Sequence, residues 1–332
     1  MQPRKIAALG WTMTLHINED EVRQLLTMSA AIAAVEDVSR KQAEATVIVH
    51  PRRRFELPNR GFFHYMAALD TADGYVGMKQ YTYMKGKLQF LVTLYSATSG
   101  ELLALIEADY MGQLRTGAAS GVATKYLAKK LAKSAAIIGT GGQARTQLDA
   151  VHNVRMLDAV YVYGRDEKRR TKFCDEMTER LGVTCYAMQS AAEAVRTAEI
   201  ICTATTSSQP VLHGQDLAPG VHINAIGANH AHKQELDENA VTRANVIFVD
   251  SLAQSNQEAG DLIIPFAKQP ERWAEVHELA ELVVGKVPGR TSDSQITLFK
   301  SNGIAAWDLA VAEKVYRLAK EKGLGREVPL FS

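Results

Sequence analysis

The first third of the chain contains short apolar repeats that predict strands and helices. Residues 15–17 predict a short strand, and Asn18, three residues before Glu21, is typical of a capping pair at a helix start. Ser29 is the predicted cap of a second helix. Alternating runs then predict strands over residues 45–50, 61–69, 75–83, 88–100 and 101–108. We therefore expect two helices followed by a mostly antiparallel meander.

The pattern then changes to alternating helices and strands. A run of small residues predicts a helix over 115–131, and the amphipathic repeat over 303–323 predicts a long final helix. Between them, apolar runs separated by helical repeats predict strands over residues 135–139, 158–164, 199–205, 220–227 and 245–250. Strands that alternate with helices of this length indicate an α/β fold with a doubly wound parallel sheet.

Composition and charge narrow the possible functions. The 332 residues are 46% apolar and 23% charged, with a formal net charge of +1. This length suits two domains, and the small net charge favours neither nucleic acid nor an anionic membrane as a partner. We expect no membrane span and, from residues 1–20, no signal peptide. Cys174, Cys185 and Cys202 lack metal-ligand spacing, so we expect reduced thiols in the cytoplasm and no metal site.

A glycine-rich loop is the main candidate for a nucleotide site. Gly139, Gly141, Gly142, Gln143 and Ala144 belong to a G-x-G-x-x-A pattern that follows an apolar strand and opens a helix. The first glycine permits a tight turn, the second lets the backbone approach a pyrophosphate, and the alanine allows close packing of helix on strand. The helix N-terminus offers free N–H groups to the phosphates. The alternative is an ordinary glycine-rich turn.

The end of the next strand bears on the choice of cofactor. Enzymes that use NAD usually carry an acid there, which binds the ribose hydroxyls. Here Gly164 occupies that position and Arg165 follows it. This favours the 2′-phosphate of NADP(H), although Asp166 lies close enough to leave NAD(H) possible.

Several motifs together resemble one family. MGQLRTGAASGVATKYLA, IIGTGGQA, VYVYGRD, TATTSSQPVL, HINAIGAN, KQELD and LFKSNGIAAWDLA occur in this order, as in the ornithine cyclodeaminase/μ-crystallin family. The resemblance covers residues 15–325 and implies a Rossmann domain, residues 116–304, inserted into a substrate-binding and dimerisation domain, residues 1–115 plus 305–332. It also implies a homodimer.

Two basic side chains are candidates for the chemistry of an amino or imino acid. By similarity to the family's arginine, which lies two residues after a proline, Arg53 is the predicted carboxylate clamp, although Arg52 and Arg54 lie on either side of it. Lys79 matches the family's active-site lysine, and burial would lower its pKa and suit it to proton transfer. Surface charge is the simpler explanation for each.

The resemblance implies further cofactor and substrate contacts. Arg115 and Thr116 are expected to open a helix whose N-terminus binds cofactor phosphates, and Thr203 and Thr205 to end a strand at the ligand edge of the sheet. The simpler explanation for the first two residues is a plain helix cap, and for the two threonines it is a role in a turn. The remaining family positions are Ile226, Gly227, Lys233 and Ser301 for the cofactor and Asn302 for the substrate.

One position departs from the cyclodeaminases of the family. Those enzymes carry an aspartate where this chain has Asn229, our candidate for a catalytic and substrate-binding residue, and an asparagine amide cannot act as a base. His230 and His232 nearby could titrate near neutral pH or lie on the surface.

The sequence therefore predicts an NAD(P)-dependent oxidoreductase. We expect it to reduce an imine of a small 2-oxo acid, such as pyrroline-2-carboxylate or an iminosuccinate-like compound, or to run the reverse amino-acid dehydrogenase reaction. An ornithine cyclodeaminase is the alternative within the family. A non-catalytic, crystallin-like protein that binds NADPH and a small ligand is the alternative of another class.

Overall fold

Two β-sheets organise the protein, whose computed structural model describes residues 12–330. Residues 1–11, which carry part of the signal-peptide prediction, and residues 331–332, at the end of the predicted substrate domain, lie outside the described residues. The strands are β1 (Thr12–Ile17), β2 (Val47–Leu57), β3 (Gly61–Asp70), β4 (Tyr75–Met84), β5 (Lys87–Ser96), β6 (Leu102–Glu107), β7 (Ser134–Ile138), β8 (Ala159–Tyr163), β9 (Thr184–Ala187), β10 (Ile200–Thr203), β11 (His222–Ala225), β12 (Val246–Val249), β13 (Val276–Glu278), β14 (Thr297–Lys300) and β15 (Arg326–Leu330).

Helices cover both faces of one sheet and one face of the other. They are α1 (Glu19–Leu25), α2 (Met28–Ala43), α3 (Asp109–Leu127), α4 (Gly142–Val154), α5 (Glu167–Leu181), α6 (Ala191–Val195), α7 (Glu238–Arg243), α8 (Leu252–Glu258), α9 (Gly260–Phe266), α10 (Leu279–Val283) and α11 (Ala305–Lys322). Among the described helices, none combines the length and the apolar character needed to cross a membrane.

The first sheet has the order β15-β1-β6-β5-β4-β3-β2. The antiparallel meander from β2 to β6 is as predicted, whereas β1 joins it in parallel next to β6. The strand β15 pairs with β1 beyond the last helix and was not predicted. The helix α11 packs against β3 and β4, so this sheet has one covered face.

Local capping explains where the first two helices begin. Asn18 and Glu21 form the predicted capping box at α1. The expected cap of α2 at Ser29 is wrong, because the Thr27 side chain accepts a hydrogen bond from the Ala30 N–H and starts the helix earlier.

The second sheet is parallel throughout, with the order β13-β12-β14-β11-β10-β7-β8-β9. The chain leaves β7 towards β8 and β9 on one side and returns to β10 and β11 on the other, so the strand order reverses beside β7. This is a doubly wound Rossmann sheet, and the predicted fold class is confirmed. The strands β9, β13 and β14 and the helices α8, α9 and α10 were not predicted.

The helix α3 joins the two regions. It begins at Asp109, so the expected helix start at Arg115 is wrong, and Arg115 and Thr116 lie in its interior, where backbone N–H groups are bonded within the helix. A phosphate site at a helix N-terminus is therefore not available to them. The predicted domain boundary between residues 115 and 116 falls inside this helix, and the two-domain division stays a prediction.

The helices α3 and α4 are in close contact. A Cβ atom at Gly117 of α3 would overlap the carbonyl oxygen of Thr146 in α4. Only a glycine allows the two backbones this approach. The contact places the glycine-rich loop before α4 beside the helix that carries Arg115.

Candidate active site

A cleft of about 490 Å³ lies between the first sheet and the ends of the parallel strands. Several predicted site residues line it, namely Lys79, Arg115, Thr116, Gly141, Gly142, Gln143, Thr205, Ile226, Gly227, Asn229, Ser301 and Asn302. Others do not line it, namely Arg53, Gly139, Ala144, Arg165, Asp166, Thr203 and Lys233.

A buried charge cluster forms the centre of the cleft. The Lys79 ammonium donates to Asp308 Oδ1 at 2.9 Å, and Arg115 Nε donates to the same oxygen at 3.0 Å. Lys79 and Asp308 are 4% and 2% exposed at their side chains, so solvent screens the pair weakly. Asp308 was missed because it lies on an amphipathic helix, where an acid usually faces solvent.

The pKa values follow from this burial. Desolvation lowers the pKa of Lys79 to about 8. The attraction of Asp308 opposes this lowering, and the repulsion of Arg115 adds to it. Burial alone would raise the pKa of Asp308, but Arg115 and Lys79 hold it below its usual value. Lys79 therefore titrates near neutral pH beside a permanent carboxylate.

Arg52, and not the predicted Arg53, reaches the cleft. The pairing of β2 with β3 shifts register between His50 and Arg53, and this bulge turns Arg53 outward, opposite Tyr65. The Arg52 side chain is 6% exposed and contacts Glu258 Oε2 at 3.2 Å. It also donates to the Asn302 carbonyl oxygen at 2.8 Å. The sequence pattern does not predict this bulge.

The glycine-rich loop makes a close backbone contact at Gly139 and is open at Gly141. Gly139 has φ +116°, and a Cβ there would overlap the carbonyl oxygen of Ala204, so a glycine is required. Gly141 caps α4 with φ −88°, which any residue can adopt, and a Cβ there would meet nothing within 4 Å. Gln143 Oε1 is buried without a partner among the described residues. The open space at Gly141 therefore fits a bound group that lies against the backbone.

The remaining loop positions support this arrangement. Ala144 is completely buried on the inner side of α4, as expected for close packing of the helix on the sheet. Gly142 lies beside Gln113, which also lines the cleft.

Thr203 and Thr205 are held by a buried carboxylate, Glu235. Its oxygens accept from the Thr203 hydroxyl at 2.8 Å, from the Thr205 N–H at 2.6 Å and from the Gly227 N–H at 2.7 Å. Glu235 thus joins the ends of β10 and β11 at the ligand edge of the sheet. Lys233 lies half-buried outside the cleft.

A second carboxylate shapes the segment after β14. Asp250 accepts from the Ser301 hydroxyl at 3.2 Å and from the N–H groups of Asn302 and Gly303 at 2.6 and 2.5 Å. The Asn302 amide atoms are buried without partners in the described part of the chain. They remain free to contact a bound molecule.

The region after β8 presents a basic side chain. The Asp166 carboxylate caps α5 by accepting from the Arg169 N–H at 2.9 Å. Arg165 is exposed and makes no ion pair within residues 12–330. A Cβ at Gly164 would lie 2.9 Å from Thr140 Cγ2, so an acid at that position would be crowded.

Asn229, the position at which this chain departs from the cyclodeaminases, lies in the cleft wall. Asn229 is half-buried and lines the cleft with His230, whereas His232 is exposed. Burial, Lys233 and Arg54 lower the pKa of His230 to about 4, so its imidazole is neutral near pH 7.

Comparison with known proteins identifies the family. Residues 13–323 match the ornithine cyclodeaminase/mu-crystallin family. The chain belongs to this family. A Delta(1)-pyrroline-2-carboxylate reductase of Bacillus cereus is 40% identical over 245 residues, which are 74% of this chain and 75% of that protein.

Two solved structures share the fold along nearly the whole chain. The Delta(1)-pyrroline-2-carboxylate reductase of Thermococcus litoralis, in complex with NADH and L-proline, has a TM-score of 0.91 and 35% identity, with 95% of this chain and 100% of that chain covered. An archaeal alanine dehydrogenase dimer with bound NAD has a TM-score of 0.90 and 35% identity, with coverage of 96% and 100%. These relatives confirm the predicted family, fold and enzyme class.

Proposed function

We propose that this protein is an NAD(P)-dependent reductase of imines of small 2-oxo acids, with pyrroline-2-carboxylate as the first substrate to test. The observation that carries the proposal is the convergence of Arg52, Lys79 and Arg115 in one cleft beside the glycine-rich loop. These three side chains and the glycine-rich loop face the same cavity, as is required for hydride transfer between a cofactor and a substrate.

Charge supports a carboxylate ligand. Arg52 and Arg115 are almost fully buried, with exposures of 6% and 8% at their side chains, and Arg52 Nε and Arg115 Nη1 lack partners among the described residues. Buried cations with unused N–H donors favour an anion, and a guanidinium suits a carboxylate. The proposed anchor is therefore Arg52 with Arg115, in place of Arg53.

Lys79 is the proposed proton donor. A bound reduced nicotinamide would supply the hydride. Lys79 keeps its proton below about pH 8 and can release it to a substrate nitrogen, and Asp308 orients the ammonium by accepting a hydrogen bond from it. The residues proposed to hold the dinucleotide are those of the loop, with Gly141, Gly142 and Gln143 facing the pyrophosphate.

We also propose a preference for NADP(H). Arg165 is exposed at the end of β8 without an ion pair among the described residues, and the Asp166 carboxylate is engaged in capping α5. A guanidinium there favours a 2′-phosphate, although the structural relatives contain NADH and NAD.

Asn229 favours reduction over cyclodeamination. A cyclodeaminase must deprotonate an amine before the hydride leaves, and the Asn229 amide cannot take that proton. An imine substrate already arrives unsaturated and needs no base at this position. Robust formation of proline from ornithine would favour the alternative.

The uncovered face of the first sheet supports a homodimer. On this face Ile48 and Phe55 are 51% and 59% exposed, and Phe55 stacks against Phe63 and Tyr65. Apolar patches of this kind usually mark an interface, and the archaeal relative is a dimer. Light scattering on the purified protein tests this. The free, buried cysteines agree with a cytoplasmic location, which stays a proposal.

A cofactor-oxidation screen tests the function. Purified protein is mixed with NADPH or NADH and with cyclic imines, or with 2-oxo acids plus ammonia or methylamine. We expect oxidation of cofactor and formation of the L-amino acid, detected by chiral chromatography. Tight cofactor binding without turnover of any imine would favour the crystallin-like alternative.

A further inference from the structure

His64 and Tyr81 form a hydrogen-bonded pair in the cleft wall. They are directly opposed in the register of β3 and β4, and His64 Nδ1 lies 2.7 Å from the Tyr81 hydroxyl. The opposite ring nitrogen of His64, Nε2, is buried and has no partner among the described residues, although the side chain lines the cleft. Buried polar atoms are normally satisfied, so this nitrogen has an unused bond to make.

The His64–Tyr81 pair lies close to Lys79, the proposed proton donor. Tyr81 follows Lys79 by two residues on β4, so both side chains face the cleft, separated by about 7 Å along the strand. The rings of Tyr81 and Phe90 stack at 4.8 Å, which fixes the hydroxyl. A substrate nitrogen near Lys79 would therefore leave the pair within reach of the substrate side chain.

The surroundings define what His64 can bind. Burial, together with Arg52, Arg54 and His230, lowers the pKa of His64 to about 4, so the ring is neutral near pH 7. If Nδ1 accepts from the Tyr81 hydroxyl, the ring proton lies on Nε2, which is then a donor. The charged groups that act on His64 are the guanidinium groups of Arg52 and Arg54, which contact Glu258 and Glu56, and a buried N–H beside them favours an anionic acceptor.

We propose that His64 is a specificity-determining residue that donates from Nε2 to a carboxylate on the substrate side chain, and that Tyr81 is a positioning residue for its ring. The inference rests on the proposed function and, among the imines proposed there, favours those of 2-oxo dicarboxylic acids. Its independent support is that His64 Nε2, buried in the cleft wall, has no partner among the described residues.

The test compares two isosteric substrates. Oxaloacetate and 4-methyl-2-oxopentanoate, each with ammonia, give imines whose side chains have similar shape but differ in charge. The ratio of kcat/KM for the two is measured in wild type and in His64→Phe, with the amino acid products quantified by chromatography. We expect wild type to favour the dicarboxylic imine and His64→Phe to lower the ratio by ten- to about a hundredfold, as for loss of a hydrogen bond to a charged group.

Three further variants separate recognition from structure. His64→Gln, which keeps a donor, should recover part of the ratio, and Tyr81→Phe should raise KM for the dicarboxylic imine more than it lowers kcat. Tyr65→Phe, on the outer face of β3, is the matched control and should leave the ratio as in wild type. A wild type that favours the apolar isostere, or a ratio unaffected in folded His64→Phe, would overturn the role of His64. A ratio in His64→Gln no higher than in His64→Phe would overturn its role as a donor, and a wild-type KM in Tyr81→Phe would overturn the positioning role of Tyr81.

Pyrroline-2-carboxylate distinguishes the two proposals. Its turnover by wild type with an unaffected ratio would remove only the role of His64. If wild type reduces none of the imines, the proposed function fails and the inference fails with it.

Discussion

Replacing Asp308 with asparagine should remove the charge that keeps Lys79 protonated. The pKa of Lys79 is about 8 even though Asp308, 2.9 Å away, raises it. Two unit charges 4 Å apart interact by about 4 kcal/mol at the effective dielectric of protein sites, and one pKa unit corresponds to about 1.4 kcal/mol. Loss of the carboxylate should therefore lower this pKa by about three, to roughly 5.

The expected effect on activity has a definite sign. A proton donor works below its pKa, so wild-type turnover should fall as the pH rises through about 8. In Asp308→Asn this fall should occur near pH 5, because only about one Lys79 in a hundred would carry its proton at pH 7. We expect kcat at pH 7 to drop on the order of a hundredfold and to recover as the pH is lowered.

The assay is kcat against pH at saturating imine and cofactor. Glu258→Gln is the matched control, because Glu258 contacts Arg52 and not Lys79, and it should leave the pH of the fall as in wild type. Circular dichroism and thermal melting must accompany the assay, since removal of one partner of a buried ion pair typically costs about 3–5 kcal/mol. A folded Asp308→Asn enzyme with the wild-type pH profile would refute the reasoning.

Four other substitutions test the anchor, the loop and the cofactor preference. Arg52→Ala should raise KM for the imine by ten- to about a hundredfold, whereas Arg53→Ala should change it by no more than about twofold. A larger effect of Arg53→Ala would return the anchor to Arg53, and equal effects would contradict the choice of Arg52. Gly141→Val should abolish NADPH binding in a fluorescence titration without lowering the melting temperature, and an unchanged titration would remove the loop from the cofactor site. Arg165→Ala should weaken the binding of NADPH and leave the binding of NADH as in wild type. A wild type that prefers NADH would contradict the proposed role of Arg165.

Local and periodic features of the fold were predictable from the sequence. The capping box of Asn18 and Glu21 acts through neighbouring atoms, and the loop from Gly139 to Ala144 lies between a strand and a helix with recognisable periods. The start of α3 was not predictable, because Ala108 offers no side-chain cap and the helix is buried on nearly all sides. A helix buried all round has no polar face to mark its length.

The site was predictable only where chemistry and pattern coincide. Lys79 is a lone cation in an apolar strand, which indicates a buried charge. Its partner Asp308 is distant in sequence, and only the packing of α11 against β4 brings the two together. Arg52 reaches the cleft in place of Arg53 because of one bulged residue in β2. The bulge changes the face of the sheet on which every later side chain of the strand lies.

The contact between Gly117 and Thr146 has a consequence for the mechanics of the enzyme. The contact holds α3 and α4 close together. Arg115 lies on α3, and α4 begins at the glycine-rich loop, so the two are held at a fixed distance. Under the proposed function, this contact would fix the distance between Arg115 and the loop, and with it the spacing between a bound carboxylate and a bound dinucleotide. A side chain as small as alanine at Gly117 would lengthen that spacing, and reaction rates depend steeply on such distances.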